Sequence, residues 1–166
     1  MRIERDRYQQ ALLTNAERFR YWCVKLLDIP YRWGEENLLG TDCSGTVCWP
    51  LLRMGYNIRT TAAGLYHKIF TTKSSYSDDT ATQALFFRKG GAITHVAPFV
   101  GRGVVLNAGE TVRQLTSAYL IRWFEDHEHA EALCRQLDWA AADGVSRMGQ
   151  DCWDLDPMES VLRGDV

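Results

Sequence analysis

The hexapeptide Gly40-Thr41-Asp42-Cys43-Ser44-Gly45, with the apolar run Thr46 to Met54 directly behind it, constrains this chain more than any other segment. Its two glycines let the backbone come close to its surroundings, and the polar residues between them do not belong in a core. The run that follows has the character of a buried helix. A side chain at such a junction stands at a helix start, where outward-pointing N–H groups favour negative charge, so a thiol there is expected to be acidified. An isolated cysteine is most often a small buried hydrophobe. The polar neighbours of Cys43 make it instead a candidate nucleophile, provided that the chain also supplies a base.

At 166 residues the chain is expected to form one domain, residues 1–166, with enough core to need no crosslinks. Its five cysteines, Cys23, Cys43, Cys48, Cys134 and Cys152, are odd in number and show no CxxC spacing. That excludes a complete disulfide framework, favours a reduced setting and argues against a zinc ribbon. A net charge of -2 gives no electrostatic reason to expect nucleic acid or an anionic membrane as partner. The charge is uneven, since residues 125–166 carry 11 acidic against 3 basic side chains, as in a solvated acidic face. The first residues, Met1 to Arg7, are of mixed charge and lack the apolar stretch of a cleavable signal, and no window approaches a membrane span.

Tyr8, Leu12, Ala16, Phe19, Cys23 and Leu26 recur at three- and four-residue steps, which predicts a helix over roughly 3–28, stopped by Pro30. A second helix is expected to open near Asp42, whose carboxylate can cap free N–H groups, and to close before Gly55, with Pro50 kinking it. Thr60 to Phe70 predicts a third, capped by Thr60 or Thr61, and Thr71 to Thr82 a loop. Strand patterns follow at 83–88, 92–100 and 104–108, punctuated by Lys89-Gly90-Gly91 and Gly101-Arg102-Gly103, and an antiparallel meander is the simplest arrangement. Helical spacing returns after Leu115, with Ala130, Leu133, Leu137 and Ala140 on one stripe.

Of four histidines, only His95 lies on a predicted strand. If residues 101–103 form a three-residue hairpin loop, Val100 pairs with Val104, His95 faces Gly109, and Ala97 faces Asn107. His95 and Asn107 are then diagonal neighbours on one face, about 7–8 Å apart at Cα. An imidazole that takes the thiol proton and an amide that orients the ring complete the parts of a cysteine hydrolase. A one-residue slip would put the pair on opposite faces.

These residues resemble the NlpC-type cell-wall cysteine peptidases, of the papain-like superfamily. Tyr31-Arg-Trp-Gly34 resembles that family's Tyr-x-Trp-Gly-Gly segment, Thr41 to Gly45 its Asp-Cys-Ser-Gly nucleophile motif, and Ile58-Arg-Thr-Thr61 its Leu-Pro-Arg-Thr-Ser segment. Leu85-Phe-Phe87 resembles the strand before the histidine, and His95 to Gly101 resembles His-Val-Gly-Ile-Tyr-Leu-Gly. The match covers about residues 30–110. The resemblance implies an α+β fold, with N-terminal helices on an antiparallel sheet and an extra C-terminal helix. It implies Cys43 as nucleophile, His95 as base and Asn107 as third polar residue. Tyr31 would serve the oxyanion site, and Asp42, Ser44 and Arg59 the substrate; no metal or other cofactor is implied. The activity implied is endopeptidase cleavage of peptidoglycan stem peptides between γ-linked D-glutamate and a diamino acid. Glu35 and Pro98 depart from the family pattern, and Pro98 is expected at a sheet edge or a non-bonded site.

Peptidoglycan lies outside the membrane and no signal is read at the N-terminus, so synthesis in the cytoplasm and delivery by a phage tail or secretion apparatus is the expected route. Three other readings use the same residues. One is an amidase or acyltransferase on another substrate. Another is a non-catalytic phage or secretion assembly protein. The third, a metal site from Cys43, Cys48 and His95, is disfavoured because positions 43 and 48 face different ways on a helix.

Overall fold

A computed structural model describes residues 13–30, 36–37, 40–75 and 78–145. Helix α1 (Asn15–Val24) opens with a reciprocal capping box: the Thr14 hydroxyl accepts from the Glu17 N–H at 3.2 Å, and the Glu17 carboxylate accepts from the Thr14 N–H at 3.1 Å. Thr14 itself is extended, so one continuous helix across 3–28 is excluded. The positions of Tyr8 and Leu12 lie outside the described residues, whereas Ala16, Phe19, Cys23 and Leu26 are buried as their spacing implies.

After the short hairpin β1 (Glu36–Asn37) and β2 (Gly40–Thr41) comes α2 (Gly45–Arg53). The Asp42 carboxylate accepts from the Gly45 N–H at 2.8 Å and from the Ser44 hydroxyl at 3.1 Å, which fixes the turn that carries Cys43. Gly55, just past the helix, takes φ 94°, the left-handed value expected of a terminator. Pro50 has no N–H for the Thr46 carbonyl four residues back; the buried Cys23 thiol of α1 donates to that oxygen instead, at 3.7 Å. A proline that weakens one helix thus creates its tie to another.

Helix α3 (Ala62–Lys68) is capped by Thr61, whose hydroxyl accepts from the Gly64 N–H, and buries Leu65. The sheet then follows: β3 (Thr72–Lys73), β4 (Gln83–Lys89), β5 (Ala92–Gly101), β6 (Val104–Ala108) and β7 (Val112–Thr116). Helix α4 (Ser117–Glu128), strand β8 (Glu131–Gln136) and helix α5 (Trp139–Val145) complete the described chain. Strand order is β3-β8-β4-β5-β6-β7, antiparallel throughout. The expected meander is present at its centre.

Three expectations are corrected. The stripe through Ala130, Leu133 and Leu137 is not helical: residues 131–136 form β8, which inserts between β3 and β4 and pairs with residues 83–88 of β4. Tertiary pairing overrides local spacing here. Pro98 lies on an interior strand opposite Ala84, which excludes the edge, one of the two positions expected for it, and the pairing of β5 with β6 involves Phe99 and Gly101. The β5–β6 loop has two residues, Arg102 and Gly103, both at positive φ, and Gly101 pairs with Val104. Val100 is left over as a bulge, and from Phe99↔Val105 onward the offset is the one that aligns Ala97 with Asn107.

The central strands are buried on both sides. Phe86, Val96 and Leu106 join Phe19, Trp22, Trp49 and Leu51 of α1 and α2, while Leu85, Phe87, Ala97 and Phe99 join Leu120 of α4. Each large side chain so buried contributes about 1.5–3 kcal/mol. Strand β5 belongs to both cores.

Gly64 is where the helical rule should invert. Alanine for glycine inside a helix ordinarily stabilises by about 1 kcal/mol. A Cβ on Gly64 would stand 1.9 Å from Thr60 Oγ1 and 3.0 Å from Thr60 Cβ. Gly64→Ala should therefore lower the midpoint of urea unfolding, and adding Thr60→Ala should recover most of the loss; a raised midpoint in the single variant would refute this packing.

Candidate active site

Cys43 sits on the turn entering α2, half-buried against the α1–α2 core. Its carbonyl accepts from the Thr46 hydroxyl at 2.6 Å and the Thr46 N–H at 3.3 Å, which pins the backbone beneath the sulfur. The sulfur reaches the N–H of Val96, one residue beyond His95 on β5. Burial pushes the thiol above its ordinary value; the N–H groups of Val96, Ser44 and Cys43 oppose this, and the Asp42 charge adds to it. The helix-start argument, which predicts acidification, is therefore outweighed, because desolvation and a neighbouring carboxylate act on the same atom. The resting group is a thiol.

His95 and Asn107 meet as their register requires, with Nε2 2.7 Å from the amide Oδ1. That oxygen can only accept, so Nε2 carries the proton and Nδ1 is left as the ring's acceptor. Two aromatic residues flank the imidazole. Phe124 of α4 stacks on it at 4.9 Å between centroids, and Phe87 of β4 lies at 5.8 Å; these two rings stack on each other at 4.1 Å. Burial lowers the His95 pKa, and the Asn107 bond only partly restores it. At neutral pH the ring is uncharged, the form a general base needs.

The structure thus brings His95 and Asn107 into direct contact and sets Cys43 against the adjacent backbone. Asp42 and Ser44 shape the Cys43 turn rather than the cavity beside the ring. Arg59 is exposed on the α2–α3 connection. Tyr31, Trp33 and Glu35 lie outside the described residues, as does Cys152. Cys48 is buried and donates to the Thr60 carbonyl at 3.6 Å, away from the Val96 amide that Cys43 meets. Among the described residues no three His, Cys, Asp or Glu side chains are grouped to hold a metal, the four described cysteines are free thiols, and no helix is long and apolar enough to cross a membrane.

Sequence reasoning missed the residues around the ring. A cavity of about 700 Å³ opens beside His95 and Asn107, lined also by Arg113 and by Tyr119, Trp123 and Phe124 of α4. The available signal was the repeat of Leu120 with Phe124, and of Tyr119 with Trp123, at four-residue spacing, which gives α4 an inward and a cleft-facing row.

Comparison with known proteins identifies the family. The profile of the NlpC/P60 family matches residues 28–129, and the chain belongs to that family. It is similar to the bifunctional muramidase/DL-endopeptidase CwlT of Bacillus subtilis (strain 168), 35% identical over 102 residues, 59% of this chain and 30% of that protein. A probable endopeptidase p60 of Listeria seeligeri is 33% identical over 84 residues, 51% of this chain and 16% of that one. The chain therefore spans under a third of the length of these relatives. Among solved structures, the NlpC/p60 domain of the peptidoglycan hydrolase SagA superposes with a TM-score of 0.55 at 26% identity, covering 72% of this chain and 97% of that domain. NlpC2 from Trichomonas vaginalis shares the fold, with a TM-score of 0.55 at 19% identity over 78% of this chain and 49% of that one.

If the aromatic rings hold His95 neutral, Phe124→Ala should raise its pKa toward the ordinary 6.5 or so in an NMR titration of the imidazole, and Phe124→Leu should raise it less. An unchanged titration in Phe124→Ala would show that α4 does not set the ring's environment.

Proposed function

We propose that this chain is a cysteine endopeptidase that hydrolyses peptidoglycan stem peptides at the bond between γ-linked D-glutamate and a diamino acid. The observation that carries the reading is the His95–Asn107 bond of 2.7 Å on the strand whose next amide meets the Cys43 sulfur. Membership of a family whose named members include a DL-endopeptidase and a peptidoglycan hydrolase supports the substrate class.

With both partners neutral at rest, the thiol ionises as it attacks. His95 Nδ1 takes the sulfur's proton while the sulfur adds to the γ-carbonyl carbon, and the carbonyl oxygen becomes an oxyanion. The N–H groups of Cys43 and Ser44, which act on the sulfur at the start of α2, would supply donors for that charge. Collapse breaks the C–N bond, and the imidazolium returns its proton to the departing amine of the diamino acid. Water then attacks the thioester on Cys43, giving its proton to His95, and the free γ-carboxyl leaves as the thiol is restored. Asn107 fixes the tautomer throughout, since a ring protonated on Nδ1 could not accept.

Purified protein incubated with muropeptides should release new primary amines, and Cys43→Ala should abolish this with an unchanged circular dichroism spectrum; release surviving the substitution would remove the mechanism. The lowered His95 pKa carries a sign. Activity requires the neutral ring, which persists to lower pH than in an ordinary histidine, so the acid limb of kcat/KM should fall below about 6.5. A limb above that value would assign it to another group.

A further inference from the structure

The cavity beside His95 contains a charge that the chemistry so far does not use. Arg113 of β7 stands directly across from Asn107 of β6 in the antiparallel register, and residues so opposed share a face of the sheet. It therefore emerges on the His95–Asn107 face, and it lines both the 700 Å³ cavity and a smaller hollow next to it. Its Nε donates to the Thr111 hydroxyl at 3.3 Å, which anchors the guanidinium and leaves the two terminal nitrogens unused by that bond. Those nitrogens form the fork that pairs with a carboxylate.

The other charges lining the cavity cancel. Lys89 and Glu128, at its far side, are joined at 2.5 Å. Glu110 lines only the smaller hollow and is exposed to solvent. Arg113 is left as the net positive charge beside the imidazole. The opposite wall is aromatic and accessible: Tyr119 is 59% exposed and Trp123 37%. A basic fork facing two open aromatic rings suits a flexible acyl chain that carries an anionic group a few bonds from its reacting carbonyl.

We propose that Arg113 is a specificity-determining residue that binds a free carboxylate of the substrate next to the scissile amide, with Tyr119 and Trp123 covering the adjoining backbone. This rests on the stem-peptide reading. A γ-linked glutamyl residue keeps its α-carboxylate free, four bonds from the carbonyl that is attacked, and the diamino acid carries a carboxylate on the leaving side. Either source presents the same chemistry to the guanidinium.

The test uses three synthetic stem tripeptides: one with both carboxylates free, one amidated at the glutamyl α-carboxyl, and one amidated at the diamino acid carboxyl. Cleavage by the full chain is compared with that by Arg113→Gln. Loss of a charge-assisted pair should reduce kcat/KM of Arg113→Gln about tenfold to a hundredfold on the doubly free peptide. The loss should be carried mainly by KM. One of the two amides should be cut comparably by both proteins, and which amide it is identifies the carboxylate that Arg113 holds; Arg113→Lys should recover part of the discrimination. An equal effect of Arg113→Gln on all three peptides, or equal cutting of all three by the unsubstituted chain, would overturn the assignment. Binding of the same peptides to Cys43→Ala and to Cys43→Ala/Arg113→Gln, followed by calorimetry, keeps the two readings apart. Carboxylate-dependent binding to Cys43→Ala, with no cleavage by the unsubstituted chain, would sink the peptidase and leave the Arg113 site standing. Binding indifferent to Arg113 would sink the site whatever the activity.

Discussion

Strand β5 is buried on both faces, and the candidate site depends on that constraint. Val96 points into the core made with α1 and α2, Ala97 and Phe99 into the core made with α4, and His95 lies within the same strand opposite Phe87, stacked on Phe124 of α4. A strand held from both sides cannot slip by one residue without turning its apolar set over, so its register is strongly specified. The His95–Asn107 bond and the approach of Cys43 to the Val96 amide both follow from that fixed position. The bulge at Val100 absorbs the offset introduced by the two-residue turn and preserves the face that both polar side chains share.

Burial has opposite effects on the two groups that exchange a proton in the proposed reaction. It raises the thiol and lowers the imidazole, so each stays neutral until a substrate arrives. A preformed thiolate–imidazolium pair would need either more donors at the sulfur or a wetter ring. Among the described residues the Asp42 carboxylate beside the sulfur opposes the charged form, and Phe87 and Phe124 enclose the histidine. The same enclosure that removes water from the ring leaves it in the form that accepts a proton, and the helix that supplies Phe124 also supplies the aromatic wall of the cleft.

Much of this was legible in the residues. The Cys43 turn with its Asp42 cap, the left-handed Gly55, the Thr61 cap and the three central strands all depend on local chemistry that a short segment carries with it. The pairing of His95 with Asn107 was also within reach, since alternation along two strands joined by a glycine turn fixes their common face. What failed was non-local. Residues 131–136 look helical by spacing and become β8 because β4 offers them a full ladder of backbone partners. In place of one long first helix, a helix begins after Thr14, where a capping box sets its start. Phe124 and Arg113 were invisible as site residues because nothing near them in sequence refers to Cys43 or His95.

The amino-acid order alone therefore determined the reactive groups, their sequence along the chain and the face shared by two of them, since these follow from side-chain chemistry and the period of a strand. Only the tertiary structure decided their ionisation and surroundings. Desolvation, ring stacking and a charge left unbalanced in a cleft are sums over neighbours that arrive from α4, β7 and β8, and no local pattern contains them.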